Sequence, residues 1–408
     1  MRFILFVVGS IFFLSLHIKC QPGAKHSIPS DEDKHTSISD TIQFYADENS
    51  KVPASQLQFP AGIRHIPVER SNDNYKFLHD PAIVYHKGAL IAAWYNCPSE
   101  EIADESRIRA RRSYDEGKTW SAVEIIAADK EKKGIYYVPV QMLSVNDALY
   151  AFIGKMSGHD RIINTTTYKY NDVKKNWQEL RETGDLFLPN CTPVKLENGN
   201  WLMPGRVASA PGKLPLIPAV LLSLGDSIEK KWRLVKLPGE YKEDQYPETT
   251  IIAKGKTVYA FTRADGVAYK PDVFISNDYG ETWIKVKSHD FNAVSSKLYA
   301  GTLKDGRGYI VFNYVPSGKL VDDIEDRKVL AIAISKDGSN PFSFSAIYKI
   351  QASGGGNPVL SHYPCVLEHD GNLYIVYTAN FAGENKRQCE LAIVPVKSLV
   401  TKFRPIHR

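Results

Sequence analysis

One eight-residue pattern occurs twice in this chain and constrains its fold more than any other feature. Ser113–Trp120 and Ser276–Trp283 both have the sequence Ser-x-Asp-x-Gly-x-Thr-Trp. In such a turn the Asp side chain accepts hydrogen bonds from nearby backbone N–H groups, and the Gly adopts positive φ. The Trp is large enough to hold the turn against a sheet. Each copy therefore predicts a β-hairpin that is stapled at its turn.

Degenerate copies of this pattern recur at a regular spacing. Three further stretches keep the Asp and a following aromatic residue: Asp172 with Trp177, Asp226 with Trp232, and Asp337 with Phe342. The five copies begin near residues 113, 170, 225, 276 and 335, so the period is 51 to 59 residues. This is the length of a four-stranded blade with its loops, and such repetition predicts a β-propeller.

A second repeated unit follows the same period. It has a short apolar run, a turn and another apolar run, and its six copies begin at Asp80-Pro81, Val138-Pro139, Thr192-Pro193, Tyr246-Pro247, Leu298-Tyr299 and Tyr363-Pro364. Helical periodicity is nearly absent, whereas short alternating apolar runs between turns are frequent. The predicted fold is all-β, a six-bladed β-propeller that occupies residues 59–404.

The N-terminus predicts export. Residues 3–18 are mostly apolar and follow Met1 and Arg2, which indicates a secretory signal peptide over residues 1–20. No other apolar run of this length occurs, so we expect no transmembrane segment and a secreted protein, extracellular or periplasmic. Cys20 leaves lipoprotein anchoring open as an alternative. Residues 21–58 are rich in Ser, Asp, Lys and His, which predicts a flexible leader.

Composition excludes some partners and leaves others open. Charged residues make up 24% of the chain and the net charge is only +5, so we expect no nucleic-acid surface. The cysteines and histidines form no cluster with zinc spacing, and a fold of this size requires no disulfide. We therefore expect no required cofactor and no defined metal site, although Asp-rich turns leave structural calcium open. The sequence indicates no oligomeric state.

The predicted blade starts bring polar residues to one mouth of the central channel. The first strand of a propeller blade lies closest to the axis, where buried positions ordinarily favour apolar side chains. A concave polar site is therefore predicted from the residues at these starts, which include His79, Asp80, Gln141, Asn190, Glu248, Lys297, Tyr299 and Tyr363. The alternative is a water-lined channel without chemistry.

Together, the Asp turns, the sixfold period and the aligned blade starts make the chain similar to the sialidase superfamily over residues 60–400. The resemblance implies a Tyr nucleophile assisted by a Glu, an Asp acid/base and three Arg that clamp the substrate carboxylate. Tyr363 and Glu248 stand at the positions of the nucleophile and its helper. A carboxylate beside a phenol accepts its proton and makes the oxygen nucleophilic. Arg263 matches the second clamp Arg.

The chain departs from the sialidase pattern at the other clamp positions. The resemblance places His79 where the first Arg is expected and Lys297 where the third is expected. Neither side chain reproduces the planar fork of a guanidinium, so ordinary sialic acid is a poor candidate substrate. Glu101 and Asp104 lie in the acidic loop that replaces the region of the acid/base Asp, and the sequence does not choose between them.

Other residues extend the candidate site. His79 precedes Asp80, which would orient the imidazole as a general base or leave it as a hydrogen-bonding group. His159 and Arg161 follow Gly158 in a polar loop, and Arg206 lies one strand beyond the third blade start. Either Arg is a candidate for binding an acidic sugar, and Asn190 and Tyr299 are candidates for substrate hydroxyl groups.

Three functions remain open from the sequence. The first is an exo-acting glycoside hydrolase that removes a terminal acidic or deoxy sugar from a complex glycan or polysaccharide. The second is a polysaccharide lyase that cleaves a uronate-containing polysaccharide, such as a rhamnose–glucuronate glycan, with His79 and Tyr363 as proton-transfer groups. The third is a carbohydrate-binding propeller without catalysis. All three have a glycan or polysaccharide as the partner.

Overall fold

The computed structural model describes residues 41–46, 52–265, 270–315, 327–354, 358–381 and 386–400. In these ranges the chain consists of strands and two three-residue 3-10 helices, Ala54–Gln56 and Val396–Ser398, so the all-β class is confirmed. No helix in the described part is long and apolar enough to cross a membrane. The predicted signal peptide, with Cys20, lies outside these ranges.

Most strands belong to six consecutive antiparallel groups, which are numbered here in chain order. Two strands, β1 (Thr41–Ile42) and β2 (Arg64–Glu69), precede the first group. The first group contains β3 (Phe77–His86), β4 (Ala89–Cys97), β5 (Arg107–Ser113) and β6 (Glu124–Ala128). The second contains β7 (Tyr136–Val145), β8 (Ala148–Met156), β9 (Ile162–Asn171) and β10 (Asn176–Asp185). The third contains β11 (Phe187–Pro189), β12 (Val194–Lys195), β13 (Trp201–Ala210), β14 (Lys213–Leu222) and β15 (Arg233–Lys236).

The remaining groups have the same order of strands. The fourth contains β16 (Thr249–Lys254), β17 (Thr257–Thr262), β18 (Val273–Ser276) and β19 (Ile284–Lys285), and β20 (Ser288–His289) follows it. The fifth contains β21 (Tyr299–Thr302), β22 (Gly308–Asn313), β23 (Val329–Ser335) and β24 (Phe344–Ala352). The sixth contains β25 (Leu360–His369), β26 (Asn372–Asn380) and β27 (Arg387–Pro395).

The sixth group takes its outer strand from the other end of the chain. β2 pairs antiparallel with β27, and β27 meets β3 of the first group through one parallel bridge between Arg387 and Phe77. Neighbouring groups also contact through their first strands. β3 contacts β7, β7 contacts β11, β16 contacts β21, β21 contacts β25 and β25 contacts β3, while β13 and β16 join the third and fourth groups. The first and last strand groups are thereby held together by backbone hydrogen bonds.

Both Asp turns have the predicted hydrogen bonds. Asp115 accepts hydrogen bonds from the Thr119 backbone N–H at 2.8 Å and from the Thr119 hydroxyl at 2.6 Å. Asp278 accepts the equivalent pair from Thr282, at 2.9 and 2.5 Å. Each turn joins the third and fourth strands of its group, and the ring nitrogen of Trp283 donates to the Gly280 carbonyl at 3.0 Å. The stapled hairpins predicted from the sequence are confirmed.

Residues before the strand groups also contribute to the core. β1 pairs in parallel with β20, and Phe44 is fully buried with its ring 5.1 Å from that of Phe261. Leu57 is buried as well. The described stretches of the predicted leader, 41–46 and 52–58, therefore pack on the domain, because each contributes a large apolar side chain that burial stabilises. All four described cysteines are buried and free, and they are Cys97, Cys191, Cys365 and Cys389.

Candidate functional site

A pocket of about 190 Å³ lies where the first strands begin. The structure brings nine of the thirteen candidate residues to its wall: His79, Asp80, Glu101, His159, Asn190, Arg206, Glu248, Arg263 and Tyr363. It places the other four outside the lining: Asp104, Arg161, Lys297 and Tyr299. The wall also contains Asp160 and Tyr246, which neighbour predicted residues in sequence, and three polar residues that sequence reasoning missed, which are Tyr95, Arg327 and Arg387.

Two of the wall residues are held in a backbone conformation that non-glycine residues seldom adopt. Asp80 has φ of 47° and Tyr363 has φ of 55°. Each lies at a break in strand register, between His79 and Ala82 in β3 and between His362 and Cys365 in β25. Such left-handed residues cost on the order of 1–3 kcal/mol and concentrate at functional sites. The two bulges interrupt the ladder next to the pocket, and both side chains line its wall.

Tyr363, Arg263 and Glu248 form the centre of the pocket. Arg263 Nη1 donates to the Tyr363 phenol oxygen at 3.1 Å and to Glu248 Oε2 at 3.4 Å. Arg206 approaches the other carboxylate oxygen of Glu248, with Nη1 at 3.3 Å from Oε1. Burial and the negative charge of Glu248 raise the pKa of Tyr363, while the cations Arg263 and Arg327 oppose that shift. The phenol is therefore protonated at neutral pH and stands beside a base.

Two further guanidinium groups reach the pocket from the sixth and fifth strand groups. Arg387 begins β27, with its Cζ 4.2 Å from the centre of the Phe77 ring. Arg327 precedes β23, lies 5.5 Å above the Tyr363 ring and donates from Nε and Nη2 to the Ser295 carbonyl. Burial lowers the pKa of Arg327 to about 10, so it remains a cation at neutral pH. Sequence reasoning missed both because they stand at the third strands of their groups, where the repeat marks no position.

Lys297 does not line the pocket, which corrects its assignment as a substrate-binding residue. Its ammonium group is fully buried and forms an ion pair with the carboxylate of Asp80. Burial raises the pKa of Asp80 to about 6, although the adjacent charge of Lys297 opposes the shift. Removing either partner would leave a buried charge uncompensated. Lys297 therefore lies behind the pocket wall as the buried partner of Asp80, and it is not available to contact substrate.

His79 is buried against the nucleophile candidate. Its Nδ1 lies 2.8 Å from the Thr378 hydroxyl, and its ring centre lies 4.2 Å from that of Tyr363. Burial, followed by the positive charge of Arg387, lowers the pKa of His79 well below 6.5. The imidazole is therefore neutral at neutral pH and donates or accepts one hydrogen bond at each nitrogen. Asp80 does not orient it, because the carboxylate pairs with Lys297.

The lowered pKa of His79 predicts acid sensitivity. Between that pKa and about 6.5 the unfolded chain binds more protons than the folded one, so the contribution of His79 to stability is complete above pH 6.5 and falls below it. We expect the Tm of the wild type to fall more steeply than that of His79→Gln between about pH 7.5 and pH 5. His159→Gln is the control, because Asp160 raises the pKa of His159 and reverses the sign. Parallel curves for wild type and His79→Gln would contradict this assignment.

The acidic loop places one of its two candidate acids at the pocket. Glu101 Oε1 accepts a hydrogen bond from the Tyr95 hydroxyl at 2.7 Å, and both residues line the wall. Asp104 is exposed outside the wall, where Ser99 lies 3.5 Å from its Oδ2. Glu101 can therefore reach a ligand bound in the pocket, because it lines the wall and Asp104 does not.

A His–Asp pair occupies another part of the rim. His159 Nδ1 lies 2.7 Å from Asp160 Oδ2, and this contact raises the pKa of His159. Burial is the largest influence and opposes ionisation of Asp160, but the hydrogen bond and charge of His159, together with the charges of Arg206 and Arg263, outweigh it and lower the pKa of the carboxyl. Arg161 is exposed next to the pair and does not line the pocket, which corrects its assignment as a binding residue. Tyr299 is corrected likewise, because it lines a different cavity.

Comparison with protein families identifies the repeat. The sequence profile of the BNR repeat-like domain matches residues 88–388. The chain belongs to this family. That result confirms the resemblance to sialidase-like proteins with Asp-turn repeats. No curated protein matches the chain.

Solved structures with a similar fold include sialidases. A Trypanosoma rangeli sialidase mutant that displays trans-sialidase activity superimposes with a TM-score of 0.62 and 14% identity, over 84% of this chain and 60% of that one. A protein of unknown function from Dyadobacter fermentans gives 0.60 and 17%, over 82% and 99%. The NanB sialidase of Streptococcus pneumoniae gives 0.58 and 11%, over 86% and 72%. The BNR repeat-like chain thus spans about 60% of the trypanosomal sialidase, and these identities establish fold alone.

Proposed function

We propose that this protein is a secreted, exo-acting glycoside hydrolase that removes a terminal acidic sugar from a glycan or polysaccharide. The observation that carries the proposal is the contact of one guanidinium nitrogen of Arg263 with both the phenol of Tyr363 and the carboxylate of Glu248. A buried phenol next to a carboxylate is the arrangement required for an activated nucleophile. The sialidase-like fold of the chain is consistent with this chemistry.

The six strand groups are proposed to be the six blades of a sialidase-type propeller. The contacts from β3 through β7 to β11, from β13 to β16, and from β16 through β21 and β25 back to β3 support a ring of strand groups, and β2 would complete the sixth blade by pairing with β27. Closure of this kind removes exposed sheet edges. It would also explain why residues as distant in sequence as His79 and Tyr363 have adjacent rings.

The substrate is proposed to carry a carboxylate. Four guanidinium groups, those of Arg206, Arg263, Arg327 and Arg387, line a single pocket, and guanidinium pairs with carboxylate through two parallel hydrogen bonds. A pocket of about 190 Å³ is smaller than the roughly 300–1,000 Å³ of sites for drug-sized ligands, so it suits one sugar ring. An apolar wall formed by Val138, Pro139, Met156 and Leu188 would face a methyl or acyl substituent.

The proposed reaction has two steps. In the first, the Tyr363 oxygen attacks the anomeric carbon, its proton passes to Glu248, and Glu101 protonates the leaving oxygen as the glycosidic bond breaks. In the second, the Glu101 carboxylate takes a proton from water, the hydroxide attacks the anomeric carbon, and Tyr363 departs as the phenol after recovering its proton from Glu248. The arginines would stabilise the carboxylate of the sugar throughout. The configuration at the anomeric carbon is retained.

The test is incubation of the protein with sialylated, uronate-containing and rhamnosylated glycans, followed by mass analysis of the products. The hydrolase proposal requires release of one acidic monosaccharide with the mass of added water. Release of a neutral sugar alone would remove the carboxylate from the proposal. An unchanged glycan that nevertheless binds would identify a non-catalytic carbohydrate-binding protein.

A lyase is the second candidate, because the neutral imidazole of His79 lies against Tyr363 in a pocket lined by four guanidinium groups. In that reaction His79 would take the proton next to a uronate carboxylate and Tyr363 would donate one to the leaving oxygen. Arg263, with Arg327 or Arg387 in place of the buried Lys297, would neutralise the carboxylate. The product is an unsaturated uronate that absorbs in the near ultraviolet and contains no added water. The same product analysis therefore separates the two reactions.

Within the hydrolase proposal, replacement of Glu101 should separate the two acids of the loop. We expect Glu101→Gln to lower kcat roughly 10²–10⁴-fold on a substrate with a poor leaving group, because a general acid is lost. A phenolic leaving group with a low pKa needs less protonation, so its release should be much less affected. Asp104→Asn is the matched control and should keep wild-type rates. If Asp104→Asn is the slower variant, Asp104 and not Glu101 is the acid.

A further inference from the structure

A second and larger cavity, of about 370 Å³, lies at the opposite ends of the same strands. Its wall takes residues from the ends of β12 and β16, from β21 and from the start of β22. The first pocket, by contrast, lies where β16 and β25 begin. Cys191 and Tyr299 line the second cavity, whereas Asp80 lines the first. The two linings share no residue, so the cavities are separate sites.

One tyrosine in this cavity has an unused hydroxyl group. Tyr309 is only 6% exposed, and no described residue forms a hydrogen bond with its Oη. The neighbouring Tyr299 hydroxyl, by contrast, contacts the side chains of Thr192 and Cys365. A buried polar group without a partner is unfavourable unless a ligand or water completes it. The hydroxyl of Tyr309 is therefore available to a molecule that enters the cavity.

Gly301 makes the room for this hydroxyl. A β-carbon on Gly301 would lie 2.7 Å from Tyr309 Oη, closer than atoms of neighbouring side chains approach. Any larger residue at position 301 would displace the ring or fill the cavity. The space next to Tyr309 therefore depends on this one glycine.

The charged side chains at the rim already have contacts within the protein. Lys195 pairs with Asp226 at 2.8 Å, and Lys254 donates to two backbone carbonyl groups at 2.6 Å. Glu197 accepts a hydrogen bond from the Gly255 N–H at 2.9 Å. Lys254 and Glu197 carry opposite charges, and the rest of the wall consists of hydroxyl groups and apolar side chains, so the lining has no excess of one charge to attract a charged ligand. An uncharged ligand with both hydroxyl groups and apolar faces fits this lining.

We propose that the second cavity binds one neutral sugar ring of a glycan, separately from catalysis. A sugar ring presents hydroxyl groups around its edge and C–H groups on its faces, which match the Tyr309 hydroxyl and the rings of Tyr299 and Tyr309. The cavity volume lies within the roughly 300–1,000 Å³ range of small-molecule sites. The proposal does not depend on hydrolysis in the first pocket, because it concerns different residues and an uncharged ligand.

The test is titration of the full chain with glucose, galactose, rhamnose and N-acetylglucosamine at millimolar concentrations, by calorimetry and by saturation-transfer NMR. We expect saturable binding of at least one sugar with a millimolar Kd. Tyr309→Phe removes only the hydroxyl and should weaken binding about fivefold to tenfold. Gly301→Ala should abolish it. Tyr363→Phe, which changes the first pocket alone, should leave binding unchanged.

Three results would overturn this proposal. These are the absence of saturable binding for all four sugars, an unchanged Kd in both Tyr309→Phe and Gly301→Ala, or loss of binding in Tyr363→Phe. The last result would assign the sugar to the first pocket. Because Tyr309→Phe keeps the ring in place, its Tm should stay close to that of the wild type, so weaker binding cannot be ascribed to unfolding.

Discussion

Replacement of Tyr363 with Phe will lower the rate of glycoside hydrolysis by roughly 10³-fold or more, with little change in stability. The phenol oxygen is the proposed nucleophile, and the variant removes that atom while it keeps the ring in its place against His79. Only the hydrogen bond from Arg263 is lost from the folded protein, which costs about 0.5–1.5 kcal/mol. The measurements are kcat/KM on the released acidic sugar and Tm for both proteins.

Tyr377→Phe is the matched control. Tyr377 is a fully buried tyrosine of β26 whose hydroxyl contacts His65 and Gln351, away from the pocket. We expect it to keep wild-type kcat/KM and to lose a small amount of stability. Tyr363→Phe differs in losing its activity. Wild-type turnover by Tyr363→Phe would exclude the nucleophile. A large loss of Tm in that variant would make its activity loss a folding effect.

Replacement of Lys297 with Met should have the largest effect on stability, a loss of about 3–5 kcal/mol. The ammonium of Lys297 is fully buried and is the charged partner of Asp80, whose carboxylate is also buried. Met fills much of the same volume but leaves that carboxylate uncompensated in the interior. Urea unfolding of the two proteins at pH 7 measures the difference in the free energy of unfolding.

Two further variants isolate the buried pair. Lys87→Met removes a cation from an exposed ion pair with Asp172 at a distance of 2.7 Å, and should cost no more than about 1 kcal/mol. Asp80→Asn together with Lys297→Met removes both charges and should recover part of the loss, because no ion remains buried. If Lys297→Met destabilises the protein no more than Lys87→Met does, then the buried carboxylate of Asp80 does not destabilise the folded protein when its partner is removed.

The strand arrangement was predictable because it depends on local, repeated chemistry. Asp115 and Asp278 are bonded to the Thr residues four positions later, so the turn geometry is determined within one short stretch. Alternating apolar runs on either side then specify antiparallel strands, and the structure confirms the all-β class. The pairing of β2 with β27 was not predicted, since nothing local in Arg64–Glu69 specifies a partner more than 300 residues away.

The candidate site was predictable where it depends on the starts of the first strands. Tyr363, Glu248 and His79 each lie within two residues of the Pro at the start of a repeat unit, and all three line the pocket. Arg327 and Arg387 were missed because they enter from the third strands of their groups, where the repeat gives no indication of direction. Whether a long, flexible side chain of this kind reaches a site depends on how whole sheets are placed relative to one another.

The amino-acid sequence alone determined the all-β class, the period of the repeat and the stapled turns, because each of these depends on residues at fixed local spacing. Only the tertiary structure decided that Lys297 is a buried partner of Asp80, that Glu101 lines the pocket and Asp104 does not, and that Arg327 and Arg387 join Arg263. These assignments depend on burial and on distances between sheets. Burial and distances between sheets arise from packing, and they cannot be predicted from the spacing of residues along the chain.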